Sequence, residues 1–137
     1  MAEFTIVDAE TAYKKGFAPW VQDLNIQFDD IGDGSATLRV PPSERLNRFG
    51  GMVCGQAIMA LADTAMVFAV ASSTGGFVPM TTVSQSSSFL RPATDADLVA
   101  VARVIKRGRQ IVYGEVNLYT GDPDKPVAHI TSTNMLL

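Results

Sequence analysis

Residues 51–71 read GMVCGQAIMALADTAMVFAVA, and Asp63 is the only charge among them. Alanine, methionine and leucine dominate, and no proline interrupts the run. The composition predicts a helix over 55–73, about five turns long, ended by Gly75-Gly76. Its apolar residues are not confined to one stripe, so it must be covered on most sides. An aspartate in such surroundings is costly unless something stabilises it. Asp63 is either a tolerated exception or the reason the segment exists.

The flanking sequence supplies the cover. Upstream, DAETAYKKGF (8–17) suggests a short helix with Asp8 as N-cap. In 22–41, Leu24, Ile26 and Phe28 alternate, Gly32-Asp33-Gly34 makes a turn, and Ala36, Leu38 and Val40 resume the alternation. That pattern is a hairpin. The stretch 42–54 reads as a polar, glycine-containing loop. Downstream, four strands are expected at 78–90, 98–106, 110–120 and 127–136, the last three as a meander. One apolar helix wrapped by a single curved antiparallel sheet satisfies this order, which places the chain in the α+β class. Residues 1–137 are expected to form one domain.

Composition narrows the function. The net charge of −3 argues against a general nucleic-acid binder. The single cysteine, Cys54, allows no intrachain disulfide and fits a reducing compartment. The N-terminus has no apolar signal-like core, and the apolar run 57–71, broken by Asp63, reads as too short to span a membrane. A soluble, cytoplasmic protein is expected, with no membrane partner. One histidine and one cysteine cannot assemble a zinc site within one chain from the usual ligands.

Several residues carry possible chemistry, each with a plainer alternative. Asp63 can act as a base or nucleophile, or it can simply bond a backbone group or an arginine. Gly55 opens the helix, where unpaired N–H groups and a partial positive charge can receive an oxyanion. It can equally be needed only for the loop-to-helix turn. Cys54 at that helix start can be a nucleophile, but a small buried residue is the better reading. His129, the only histidine, reads as a structural or surface residue rather than a catalytic one. Arg103, Lys106, Arg107 and Arg109 put four positive charges into seven residues of an acidic chain, and Arg91 precedes Pro92. They suit phosphates or a solvated turn. Met52, Met59, Met66, Phe68 and Phe89 suit either an acyl pocket or the core.

Asn47, the glycine-rich loop, Gly55, ALADTA around Asp63, TTVSQSSSFLRPA (81–93) and VIKRGRQ (104–110) occur in an informative order. Together they resemble the hotdog-fold acyl-CoA thioesterases, in the branch related to the phenylacetate-pathway thioesterase. The likeness spans roughly residues 20–137. It implies a hotdog fold, a homodimer or pair of dimers, and no cofactor beyond the coenzyme A of the substrate. It implies that Asp63, eight residues after Gly55, acts on the thioester. Asn47 and Thr82 would position the participants, although Asn also favours turns and Thr favours strands. Cys54 and Gln56 would border the substrate, and Arg91, Lys106, Arg107 and Arg109 would hold CoA phosphates. Many members carry His-Gly-Gly where this chain has Cys54-Gly55-Gln56. Three rivals share the fold: a non-catalytic acyl-CoA sensor, a hydratase, and a scaffold that only oligomerises. The hydratase pairs a histidine with an acid, and His129 lies far along the chain from Asp63.

Overall fold

A computed structural model describes residues 3–137. Helix α1 (Ile6–Gly16) starts two residues before the expected point. Thr5, not Asp8, is its N-cap. The Thr5 hydroxyl accepts from the Asp8 N–H at 3.2 Å, while Asp8 Oδ2 accepts from the Thr5 N–H at 2.9 Å. Asp8 therefore forms the other half of a capping box. A one-turn helix, α2 (Pro19–Gln22), starts on proline, whose fixed φ suits a first helical position.

Strands β1 (Gln27–Gly32) and β2 (Ser35–Val40) form the expected hairpin. Gly34 supplies the positive φ of +74° at its turn. The stretch expected to be irregular is more ordered. It holds a 3-10 turn, Glu44–Leu46, and a two-rung hairpin of β3 (Asn47–Arg48) and β4 (Met52–Val53). Gly50 and Gly51, both at positive φ, turn its tip.

Helix α3 runs Gly55–Thr74 and ends on Gly75 in the left-handed conformation, at φ 80°. Strands β5 (Met80–Phe89), β6 (Leu98–Arg107), β7 (Ile111–Thr120) and β8 (Ala128–Leu136) complete one antiparallel sheet in the order β1-β2-β6-β7-β8-β5. The meander is β6-β7-β8, and β5 lies at the edge beyond β8. The inner sheet face presents Leu38, Ala100, Ala102, Val116, Leu118 and Ile130 to α3, all buried. Alanines 57, 62, 65, 69 and 71 let the sheet approach the helix closely. Phe68 is fully buried, packed against Phe4, Phe17, Phe28 and Phe77. At 20 residues, α3 is long and apolar enough to cross a membrane, contrary to the sequence expectation. Most of it is buried, however, as the core helix of this sheet.

Candidate active site

Between its first residue and its last turn, the residues of α3 that are not buried are Gln56, Met59, Ala60, Asp63 and Val67, which fall on one stripe. Asp63 is half-buried there. Its Oδ1 accepts a hydrogen bond from Thr82 Oγ1 at 2.9 Å. Thr82 sits beside a bulge at Val83, where the β5–β8 register shifts between Thr82 and Ser84. Bulges re-aim neighbouring side chains. Thus two of the expected residues meet: a carboxylate on the helix and a hydroxyl on the edge strand.

Gly55 is elsewhere. Its added Cβ would lie 3.4 Å from the Phe89 ring, at the far end of β5 from Met80. Eight residues separate it from Asp63, about 12 Å along a helix rising ~1.5 Å per residue. The N-cap of α3 is Cys54, which offers no side-chain hydrogen bond to the first turn. Ser, Thr, Asn or Asp at that position would occupy one of those amides. Here they are left available to a ligand.

This helix start stands between two clefts. One, of about 490 Å³, is lined by Gly55, Ile58, Met52, Phe89, Arg48 and Arg91. The other, of about 550 Å³, is lined by Cys54, Gln56, Trp20, Asn25, Arg45 and Leu46, among others. Cys54 and Gln56 therefore face a different space from Gly55. Asn47 is exposed on the small hairpin just before the helix, paired by its backbone with Val53.

The expected cations do not form one patch. Arg91 donates to the Pro126 carbonyl at 2.8 Å, beyond the Phe89 end of β5. Lys106, Arg107 and Arg109 flank the β6–β7 turn, where Gln110 accepts from the N–H of Leu136 at 2.7 Å. Leu136 pairs with Met80, so this turn lies by the opposite end of β5. Arg103 is drawn away to Glu115, which also bonds His129 at 2.9 Å on the outer sheet face. These partners, His129 first and then Arg103, hold the Glu115 carboxyl below its ordinary value. His129 thus lies beside Glu115 on the face of the sheet turned away from α3. Met66 and Phe68 are fully buried and belong to the core, whereas Met52 and Phe89 line the Gly55 cleft. Among the described residues no cluster of His, Cys, Asp and Glu could hold a metal.

Sequence reading passed over three features. Arg48 lines the Gly55 cleft and stacks over Phe49, 4.9 Å from its centroid. Glu115 anchors the outer-face cluster. Asn134 and Ser132 are buried polar residues inside the sheet. Leaving a buried polar group unpaired costs about 1–3 kcal/mol, and the Asn134 Nδ2 has no partner among the described residues. Only the alternation of β8 could have flagged them, since it turns both inward.

Residues 50–127 match the family model described as "Thioesterase superfamily". A Thermoplasma volcanium protein named "Putative esterase" is 34% identical over 99 residues, which cover 71% of this chain and 74% of that one. A Halobacterium salinarum protein of the same designation is 34% identical over 102 residues, covering 71% and 67%. Among solved structures, a conserved Pseudomonas aeruginosa protein superposes with a TM-score of 0.84 at 28% identity, covering 92% of this chain and 99% of that one. The Escherichia coli PaaI protein from the phenylacetic acid degradation operon has the same fold. It gives a TM-score of 0.84 at 20% identity, over 96% and 91% of the two chains.

Proposed function

The chain belongs to the thioesterase superfamily and has its hotdog fold, and from that premise we propose that it hydrolyses an acyl-CoA thioester to the free acid and coenzyme A. Thioester hydrolysis is the chemistry of the family. The acyl-CoA substrate and the roles below are our reading.

The observation that carries it is the separation of two half-sites. Asp63 with Thr82 forms one half, and the uncapped amides at Gly55 form the other. At about 12 Å apart on one helix, they cannot act on the same carbonyl within one protomer. Two copies in antiparallel array bring Asp63 of one to Gly55 of the other. The open edge of β5 supports such pairing: ten residues without a charge or a proline. An unprotected edge of this kind calls for a partner strand. Exposed Ile111 and Tyr113 on the outer face support association of two such pairs.

In that site the Gly55 N–H and the helix dipole receive the negative charge that develops on the thioester oxygen. Asp63 takes a proton from water as its oxygen adds to the carbonyl carbon, or the carboxylate adds directly and water then cleaves the anhydride. The C–S bond breaks, and the coenzyme A thiolate leaves and is protonated. Thr82 orients the carboxylate, and Asn47 the water or carbonyl. Arg91, beside Gly55, and Lys106, Arg107 and Arg109, on the Asp63 side of the partner copy, flank the composite site for the phosphates. The acyl group extends past the start of α3 into the second cleft, where Cys54 and Gln56 border it. A cytoplasmic setting fits the lone thiol.

Asp63→Asn tests this reading. A free-thiol assay over aliphatic and aromatic acyl-CoAs should show turnover by the wild type and a loss of at least about 100-fold in the variant, with binding retained. Near-wild-type turnover in the variant overturns the assignment. Binding without thiol release by the wild type marks a sensor instead.

A further inference from the structure

A second polar pair lies behind Asp63 and Thr82, and the reaction above does not use it. Ser132 and Asn134 stand two apart on β8, both turned inward, where their β7 partners are Gly114 and Val112. Ser132 Oγ donates to Asn134 Oδ1 at 2.7 Å. Asn134 is fully buried, and its Nδ2 lacks a partner among the described residues. Buried amides are ordinarily matched at both ends. With Oδ1 held by Ser132, Nδ2 is turned the other way.

The strand register supplies the acceptor. On the β7 side Asn134 opposes Val112, which has no polar side-chain atom. On the β5 side it opposes Thr82. Directly opposed side chains share a face, with Cβ atoms about 4.5–5.5 Å apart. Thr82 has one hydroxyl proton, committed to Asp63, so its lone pairs are open to a donor.

We propose that Asn134 is a positioning residue for Asp63: its Nδ2 donates to Thr82 Oγ1 across one bridging water, and so holds the Thr82 proton on the carboxylate. Ser132 fixes the amide's orientation. One Asp63 oxygen is thereby anchored and the other is left for the reaction. The kinetic part of this inference rests on the function proposed above, but the hydrogen-bond chain does not.

NMR of the Asn134 side-chain amide tests the chain without any substrate. Thr82→Val leaves Asn134 in place and should shift its Nδ2 proton resonances. Unmoved resonances overturn the proposal, whether or not the protein turns over acyl-CoA. The kinetic arm uses Asn134→Leu, which keeps the volume and removes the donor. It should lower kcat about tenfold or more with little change in KM, and add nothing further in a Thr82→Val background. An equal loss in both backgrounds, or none in the wild type, overturns it. Ser132→Ala, a milder change, should shift kcat in the same direction if Asn134→Leu does not fold. If the wild type hydrolyses no acyl-CoA, the functional reading fails and the NMR result still decides this one.

Discussion

At position 54 a helix start lacks the residue that would ordinarily cap it. Cys54 leaves the first-turn amides of α3 without a side-chain acceptor. Cys54→Asp should place a carboxylate on those amides and raise stability by about 0.5–2 kcal/mol. The same carboxylate would repel a developing oxyanion, so thioester turnover should fall. Thermal melts and the thiol assay on one preparation check both signs. Glu115 gives a different kind of prediction. His129 and Arg103 lower its carboxyl from the ordinary 4.5. Its contribution is therefore complete above that value and is lost as pH falls through the lowered one. Glu115→Gln should cost up to about 1 kcal/mol at pH 6, and the difference from wild type should be smaller at pH 4. Urea melts at both values measure it. At this scale the sequence revealed Asp63, the one charge in an apolar run, and Gly55 at its head. It could not reveal Glu115, because a mid-strand glutamate in an alternating pattern reads as solvated until its cross-strand neighbours are known.

Among the elements, α3 was legible because its composition excludes a surface role. The hairpin and the meander were legible from turn glycines and alternation. The edge position of β5 was not, since alternation says which face a residue takes and nothing about which strand pairs with which. The small hairpin before α3 escaped notice because two rungs set no period. Register also explains why Gly114 must remain glycine. A Cβ there would lie 2.6 Å from Met66 Cε and 2.8 Å from the Arg103 carbonyl oxygen. The methionine can move, but the backbone carbonyl of the neighbouring strand cannot. Gly114→Ala should destabilise by about 1–3 kcal/mol, read as a lower midpoint in chemical denaturation. An unchanged midpoint would mean that β6 and β7 separate more easily than their pairing implies.

For the molecule as a whole, the two half-sites on α3 and the bare edge of β5 lead to one expectation. The protein should be a dimer or a pair of dimers at micromolar concentration, and light scattering behind size-exclusion chromatography measures it. A monomer that remains fully active would overturn the shared site. Sequence reading reached this association only through the resemblance, because nothing local in MTTVSQSSSF marks it as an outermost strand. The length of α3 has a consequence of a different kind. The ribosome delivers this twenty-residue apolar helix before residues 98–136, which hold β6, β7 and β8. Until they follow, the side of α3 that they bury has no cover. A chain cut off before β6 should therefore leave α3 without most of its sheet and aggregate, which a pelleting assay measures.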